Sequence, residues 1–458
     1  MTFYVVYRSN MTFNVYYAKS SFSYCPLLRI LPSKRSGEGV LVAVDVNSEI
    51  GAIRQAIVHR PGLETQRYPH GDFLQVFPLR PGVSSFNLEE AEKEFSEFSQ
   101  VLREQSVEVF ELTDLLVEAL DSSPMAREDL IASFLRDASI RGNDLTEAAR
   151  EVLAAASSSG ELVQRLFSGI RYEETVLNER SSFPLAFLTG NNFDAEGFLL
   201  GPLNTAFFVR DPMNVVGEGV TLNRMYWPFR GREVVLYEII KRYHPLFSGV
   251  PRWYDHGGSF YLEGGDVINI DARTVALGLS ARTEASAIDV LCQKLLWGGC
   301  GSQVDDVFVF TVPQEGNRVH LDAYLSRIDY DKFLVDPLLQ ENASVYRVRR
   351  GYAQGDVRVE LLTSHINTIL GLMVKEVGVR VVEFSNASVG QMQREYENGS
   401  LGTLCLAPGN LCVCKENVWT NDALDKAGMT LHPVSIQELT AGFGGPSSLC
   451  LPLWREKL

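Results

Sequence analysis

The 458-residue chain has no apolar run long enough to span a bilayer, which takes about 20 consecutive apolar residues, so no membrane-spanning helix is expected. It is also short of basic residues: 42 Lys and Arg stand against 57 Asp and Glu, for a net charge of −15. Nucleic acids and anionic membranes both require a basic face, so neither is expected as the main partner, and a cationic small molecule suits the balance better. Cysteine is sparse, with seven in the chain and no dense spacing, which reads as reduced thiols of a cytoplasmic protein rather than a disulfide scaffold. Cys412-Val413-Cys414 lacks a second ligand pair at zinc-finger spacing and reads as alternate residues of a buried strand, so no metal is expected. Trp297-Gly298-Gly299-Cys300-Gly301 lacks the Lys-Ser/Thr of a phosphate loop and reads as a loop.

Acidic residues are missing from positions 1–37, where Arg8, Lys19, Arg29, Lys34 and Arg35 stand among Ser, Tyr and Phe. The composition is that of a transit peptide, yet no continuous apolar core or cleavage site accompanies it. Residues 1–39 are therefore expected to be an unmatched extension, either a disordered tail or an over-long reading of the start, with the folded part opening at Val40-Leu41-Val42-Ala43-Val44. From there the texture is α/β. Gln55–His59 reads as a strand stopped by Pro61-Gly62. Asn87 and Glu90 have capping-box spacing, and Leu88, Ala91, Phe95, Phe98 and Leu102 recur with helical period before the alternating strand Val107–Phe110. Strands are expected again at Thr274–Leu279, Val307–Val312, Val379–Phe384 and Leu411–Cys414, and a helix at His365–Val377. Between Thr113 and Tyr172 the pattern is almost purely helical, with Ser123-Pro124 suited to a helix start and Asp144 with Glu147 spaced as a second capping box. The expected organisation is an α/β body over 40–112 and 173–458, interrupted by a helical insertion subdomain over 113–172.

Four short segments gather the unusual chemistry: Arg210-Asp211-Pro212, Glu263-Gly264-Gly265-Asp266-Val267, His320-Leu321-Asp322, and the glycine-rich run from Gly442 to Leu453. Each also has a plain structural reading, as a salt-bridged turn, a tight bend or a His-Asp pair. On a strand, His320 and Asp322 would share a face. A guanidinium is planar, permanently cationic and a donor only, so a site for it needs carboxylates in bidentate geometry. Asp211 and Asp322 are the candidates for that clamp.

In order and spacing these segments resemble the arginine deiminases from about Val42 to the C-terminus. Ser48-Glu49-Ile50-Gly51 with His59-Arg60-Pro61-Gly62 matches their opening, and Asn204–Pro212 followed by Gly219–Asn223 matches their Arg-Asp-Pro region. Leu262–Val267, Ser280–Thr283, His320–Lys332, Ala407–Gly409 and Thr420-Asn421 continue the match. The resemblance implies a pentein fold: α/β, a five-bladed propeller of ββαβ-type repeats with an all-helical insertion. It implies conversion of L-arginine and water to L-citrulline and ammonia through a covalent amidino-enzyme, without cofactor, in a protein that is commonly a homo-oligomer. His320 would protonate the leaving nitrogen and then activate water, with Glu263 holding it. Arg230 and Arg282 would take the α-carboxylate, Asp266 the other end of the substrate, and Thr205 stands at a substrate-binding position where the family usually has Asn.

The departure that matters most is Ser448, which occupies the place of the family's nucleophilic cysteine, ahead of Pro452-Leu453. A hydroxyl is a weak nucleophile where a cysteine is already partly thiolate near pH 7. Cys450 is the alternative nucleophile, since on a strand it would face the same side about 6.6 Å away. Its other reading is a small buried residue, because the flanking glycines and Pro452-Leu453 align without a gap. Ala281 and Ser447 also depart from the family pattern. The functions left open are a hydrolase impaired at Ser448, a catalytically silent arginine-binding or regulatory protein, and an amidinotransferase, against which the helical insertion speaks.

Overall fold

Ile53–Val58 is a strand buried at every position but Arg54, which is half-buried, and it takes two partners far apart in the chain. It pairs antiparallel with Leu451–Arg455 and parallel with Glu108–Glu111, the parallel partner arriving over the helix Leu88–Glu104. The computed structural model describes residues 12–15, 44–65, 86–138, 140, 142–176, 197–298, 302–315, 318–376, 378–382, 388–440 and 444–458. Within them the same arrangement recurs four more times. Met213–Val216, Gly219–Leu222 and Arg252–Tyr254 form the second unit. Val267–Asp271, Thr274–Leu279 and Asp306–Thr311 form the third. The fourth is Leu325–Arg327, Lys332–Val335 and Arg380–Val381, and the fifth Leu404–Ala407, Asn410–Cys414 and Thr430–Val434. In every unit the first two strands run antiparallel and the second and third parallel, with at least one helix crossing between the parallel pair. Parallel neighbours require such a crossover.

The hairpin Val345–Arg350 and Val357–Leu362 extends the third unit's sheet, and Thr12–Val15 pairs along the hairpin's far side. The rest of the expected extension 1–39 lies outside the described residues. Among the described residues no helix is long and apolar enough to cross a membrane.

Local sequence explains most element ends. Asn87 caps its helix by accepting from the Glu90 amide at 3.3 Å, but the reciprocal half of the expected box is absent because the Asn87 amide bonds Glu438 instead. Ala91, Phe95, Phe98 and Leu102 are the buried stripe of that helix. Each fully buried side chain of this kind contributes roughly 1.5–3 kcal/mol. The helical stretch resolves into Leu112–Ser122, Pro124–Asp137, Asn143–Ala154 and Ser159–Ser168. Ser123 caps the second of these ahead of Pro124, as expected. Asp144 lies inside its helix, whose cap position is Gly142, so the second expected capping box does not form. The inserted helices do not keep a core of their own: Leu130, Ile131 and Phe134 pack in the same cluster as Val234, Leu236 and Tyr237 of the helix Gly231–Tyr243. That helix begins at a residue of the candidate site, Arg230.

Candidate active site

The first strand of each unit is approached by a short turn, and the sequence-predicted residues sit on these turns. Asp211 precedes the strand starting at Met213, Glu263 to Asp266 precede Val267, His320 and Asp322 precede Leu325, and Ser448 precedes Leu451. His320 caps a single turn of 3-10 helix, Leu321–Ala323, so the condition under which His320 and Asp322 would share one face, an extended strand, is not met. Ser448 likewise lies within a 3-10 turn, Pro446–Leu449, with Cys450 at its end, and strand alternation does not relate the two residues. A turn wins here because Pro446 fixes a helical φ and its missing N–H costs nothing at the first position.

Two glycines let the turns close on one another. A Cβ on Gly265 would stand 2.6 Å from His320 Nδ1, and one on Gly264 would collide with the Arg210 carbonyl. The Gly264 amide donates to the Asp211 carbonyl at 3.1 Å. The Arg210 amide donates to the Ser448 carbonyl at 3.4 Å, which brings the nucleophile position beside Asp211.

His320 Nε2 stands 2.8 Å from Glu263 Oε2, and its Nδ1 is 3.8 Å from Asp211 Oδ1. Burial opposes a charge on His320, but the Asp211 carboxylate, the bond to Glu263 and the charge of Asp266 outweigh it and push its pKa up to about 10. Glu263 is fully buried and its other oxygen accepts from the Tyr226 amide at 2.9 Å. Against burial, His320 and Arg282 hold its carboxyl well below the usual range, at about 2. The pair is therefore an imidazolium on a carboxylate at neutral pH, with His320 poised to give a proton. Burial pushes Asp322 up to about 7, with His320 opposing and Asp211 adding.

Several expected substrate contacts are occupied within the protein. Arg230 Nη1 bonds Asp211 Oδ2 at 2.9 Å and its other nitrogens fork onto Glu233 at 3.0–3.3 Å. Thr205 Oγ1 donates to the same Glu233 at 2.5 Å. Arg230 thus holds Asp211, and Thr205 holds the Glu233 that Arg230 forks onto. Asp266 is fully buried and accepts from Ser280 and Thr283 at 2.6 and 2.7 Å and from the Leu321 amide at 2.8 Å. Its role in the structure is to fix the turn carrying His320 and Asp322. Arg282 lies 3.9 Å from Glu263, with its guanidinium over the rings of Tyr226 and Trp227 at 5.2 and 5.3 Å.

Cys450 is fully buried in an apolar cluster with Phe207, Phe208 and Leu449, and burial pushes its thiol up to about 12. A thiol so placed is not ionised at neutral pH, so the alternative nucleophile is not supported. Glu233 and the Glu49–Arg210 ion pair, 2.8 Å long and buried, were missed by sequence reasoning. Only the i, i+3 spacing of Arg230 and Glu233 at a helix start pointed toward the first. Donor atoms of Asp211, Glu263 and His320 lie within 4.8 Å of one another, close enough to share a cation. The protonated His320 and Arg230 already supply positive charge there.

The carboxylates of Asp211 and Asp322 near an imidazolium–carboxylate couple, with the turn of Ser448 bonded through its backbone to Arg210, are an arrangement suited to an enzyme class that modifies guanidino groups. The arginine deiminase family model matches residues 84–455. The chain is 30% identical over 423 residues to the arginine deiminase of Treponema denticola, covering 91% of this chain and 100% of that protein. It is 32% identical over 423 residues to that of Clostridium perfringens, covering 91% and 99%. Among solved structures it resembles an amidinotransferase of the saxitoxin pathway of Microseira wollei, with TM-score 0.50 and 15% identity over 91% of this chain and 98% of that one. This chain belongs to the arginine deiminase family, and its fold is the α/β pentein type.

Proposed function

We propose that the protein hydrolyses L-arginine to L-citrulline and ammonia through a covalent amidino intermediate on Ser448, and that formation of this intermediate limits turnover. The observation that carries the reading is the clamp: among the described residues Asp322 accepts no hydrogen bond, and Asp211 keeps Oδ1 toward His320 while Arg230 holds Oδ2. Two such carboxylates match a planar cation with donors only, and hold its carbon at a near-attack position. Arg282 takes the α-carboxylate with its fork. Ser448 Oγ bonds the guanidino carbon as its proton passes to a carboxylate of the clamp, the bond to the terminal nitrogen breaks, His320 donates the proton with which ammonia leaves, and the departing ammonia takes the carboxylate's proton away as ammonium. Neutral His320 then accepts a proton from attacking water.

Slow turnover follows from the same electrostatics. His320 keeps its proton up to about pH 10, so it is an acid when Ser448 needs a base, and the surrounding carboxylates oppose an alkoxide. The five units closing as a propeller around these turns, the segment 113–172 as an inserted subdomain and a homo-oligomeric assembly belong to the same proposal.

Citrulline release by the purified protein tests it, compared with Ser448→Cys. The thiol is expected to raise the rate by roughly 10²-fold or more, the scale of a missing proton-transfer partner. A second reading, an arginine-binding protein without turnover, is favoured by His320 holding its proton where Ser448 would need a base. It is adopted if both proteins bind arginine by calorimetry and neither releases citrulline.

A further inference from the structure

Four of the five units place a candidate site residue on the turn before their first strand. The fifth first strand, Leu404–Ala407, is preceded by Thr403, which has no role so far. Thr403 is 8% exposed, and among the described residues its hydroxyl has no hydrogen-bond partner. The Ser447 hydroxyl, beside the nucleophile position, is buried to the same degree and equally unpartnered, as is Arg210 Nε. All three residues line one cavity of about 30 Å³, whose wall also includes Asp322. The Ser447 amide donates to the Gly402 carbonyl at 3.0 Å, which ties the two hydroxyl-bearing turns together.

We propose that Thr403 and Ser447, with Arg210 and Asp322, hold an ordered water that is consumed in the hydrolytic half-reaction, an assignment that rests on the reaction proposed above. A cavity needs about 10–15 Å³ to hold one water, and the water needs two to four polar partners; this cavity offers both. Buried hydroxyls without partners are uncommon, and bridging water is their usual company. Asp322 forms a wall shared by the cavity and the guanidinium clamp. While the remainder of the substrate still fills the route by which it entered, the wall is the available source of water. The step balances. The water oxygen bonds the amidino carbon, the carbon–Oγ bond to Ser448 breaks, one proton goes to neutral His320 and the other returns to Ser448, and the urea group of citrulline is left.

The test uses the full chain carrying Ser448→Cys, with Thr403→Val, which keeps the shape and removes the hydroxyl, and separately with Ser447→Ala in case the first does not fold. Ammonia release in the first turnover should be unchanged. Steady-state citrulline should fall about tenfold, the scale of one lost hydrogen bond, and the covalent adduct should accumulate in intact-mass spectra. A crystal structure of the unsubstituted chain should show ordered density between Thr403, Ser447 and Asp322 that Thr403→Val removes. Equal slowing of ammonia and citrulline release, or a cavity without ordered water at a resolution where neighbouring waters are seen, overturns the assignment. If Ser448→Cys forms no citrulline, the proposed reaction fails and takes the water-supplying role with it, and the water site is then judged on the crystallographic result.

Discussion

Replacing Glu263 by glutamine isolates the interaction that sets the protonation of His320. The amide keeps the shape of the carboxylate and, through its oxygen, can still accept from the Tyr226 amide. It then turns an NH₂ toward His320 Nε2, donor facing donor across a distance of 2.8 Å in the parent. Both groups are buried, and removing one partner of a buried charged pair costs about 3–5 kcal/mol. The His320 and Glu263 shifts express one interaction and are counted once. Because the folded pKa of His320 is raised to about 10, its contribution is complete below its unfolded value near 6.5 and is lost as pH rises through about 10. Glu263, lowered to about 2, contributes above its unfolded value near 4.5 and loses that as pH falls through about 2. Urea denaturation should therefore show Glu263→Gln destabilised by about 3–5 kcal/mol at pH 6 and by clearly less above pH 10, where His320 is neutral in both proteins. In NMR titrations the His320 pKa should fall by about two units. Equal destabilisation at pH 6 and above pH 10, or an unchanged His320 titration, would refute the pair as the origin of the shift.

Arginine affinity should tighten as pH rises from about 5.5 to 8, because Asp322 ionises near 7 and only its charged form clamps a guanidinium. Calorimetry on Asp322→Asn should show binding weakened roughly 10- to 100-fold and the pH dependence gone, as expected for losing charged hydrogen bonds. Cys450 should resist mild alkylation in the folded protein, and Cys450→Ala should leave the citrulline rate within about twofold; rapid labelling that arginine blocks would contradict its burial. Gly265→Ala should abolish turnover by driving a methyl into His320, and a variant with full activity would show that the turn can move away.

The long-range order of the chain was legible to different depths. Helical stripes such as Ala91, Phe95, Phe98 and Leu102, and the strand Thr274–Leu279, follow from periodicity because burial of one face imposes it. The strand expected at Val379–Phe384 is only Arg380–Val381 among the described residues, and the helix expected to reach Val377 ends at Val374 with Lys375 left-handed. Asp211, Glu263, His320 and Asp322 were singled out by motif order, and the structure brings them near one another. What Arg230, Thr205 and Asp266 do was not readable, since their partners Glu233, Ser280 and Leu321 are chosen by tertiary contact and leave no periodic trace. Whether the residues around His320 and Ser448 are extended or turned was left open in the sequence, because three or four residues are too few to show a period.

The strand that follows Ser448 completes the first unit by pairing with Ile53–Val58, and Arg54 meets Glu456 across a sequence separation of 402 residues. Contacts this distant in the chain form late, since closing a long loop must precede any return from it. On a ribosome the other four units have all their strands available before this one does. The turn carrying Ser448 would then reach the turns of Asp211, Glu263 and His320 only after every other strand of the five units has been made, so that the acids, the imidazole and the arginines gather before the Ser448 hydroxyl joins them.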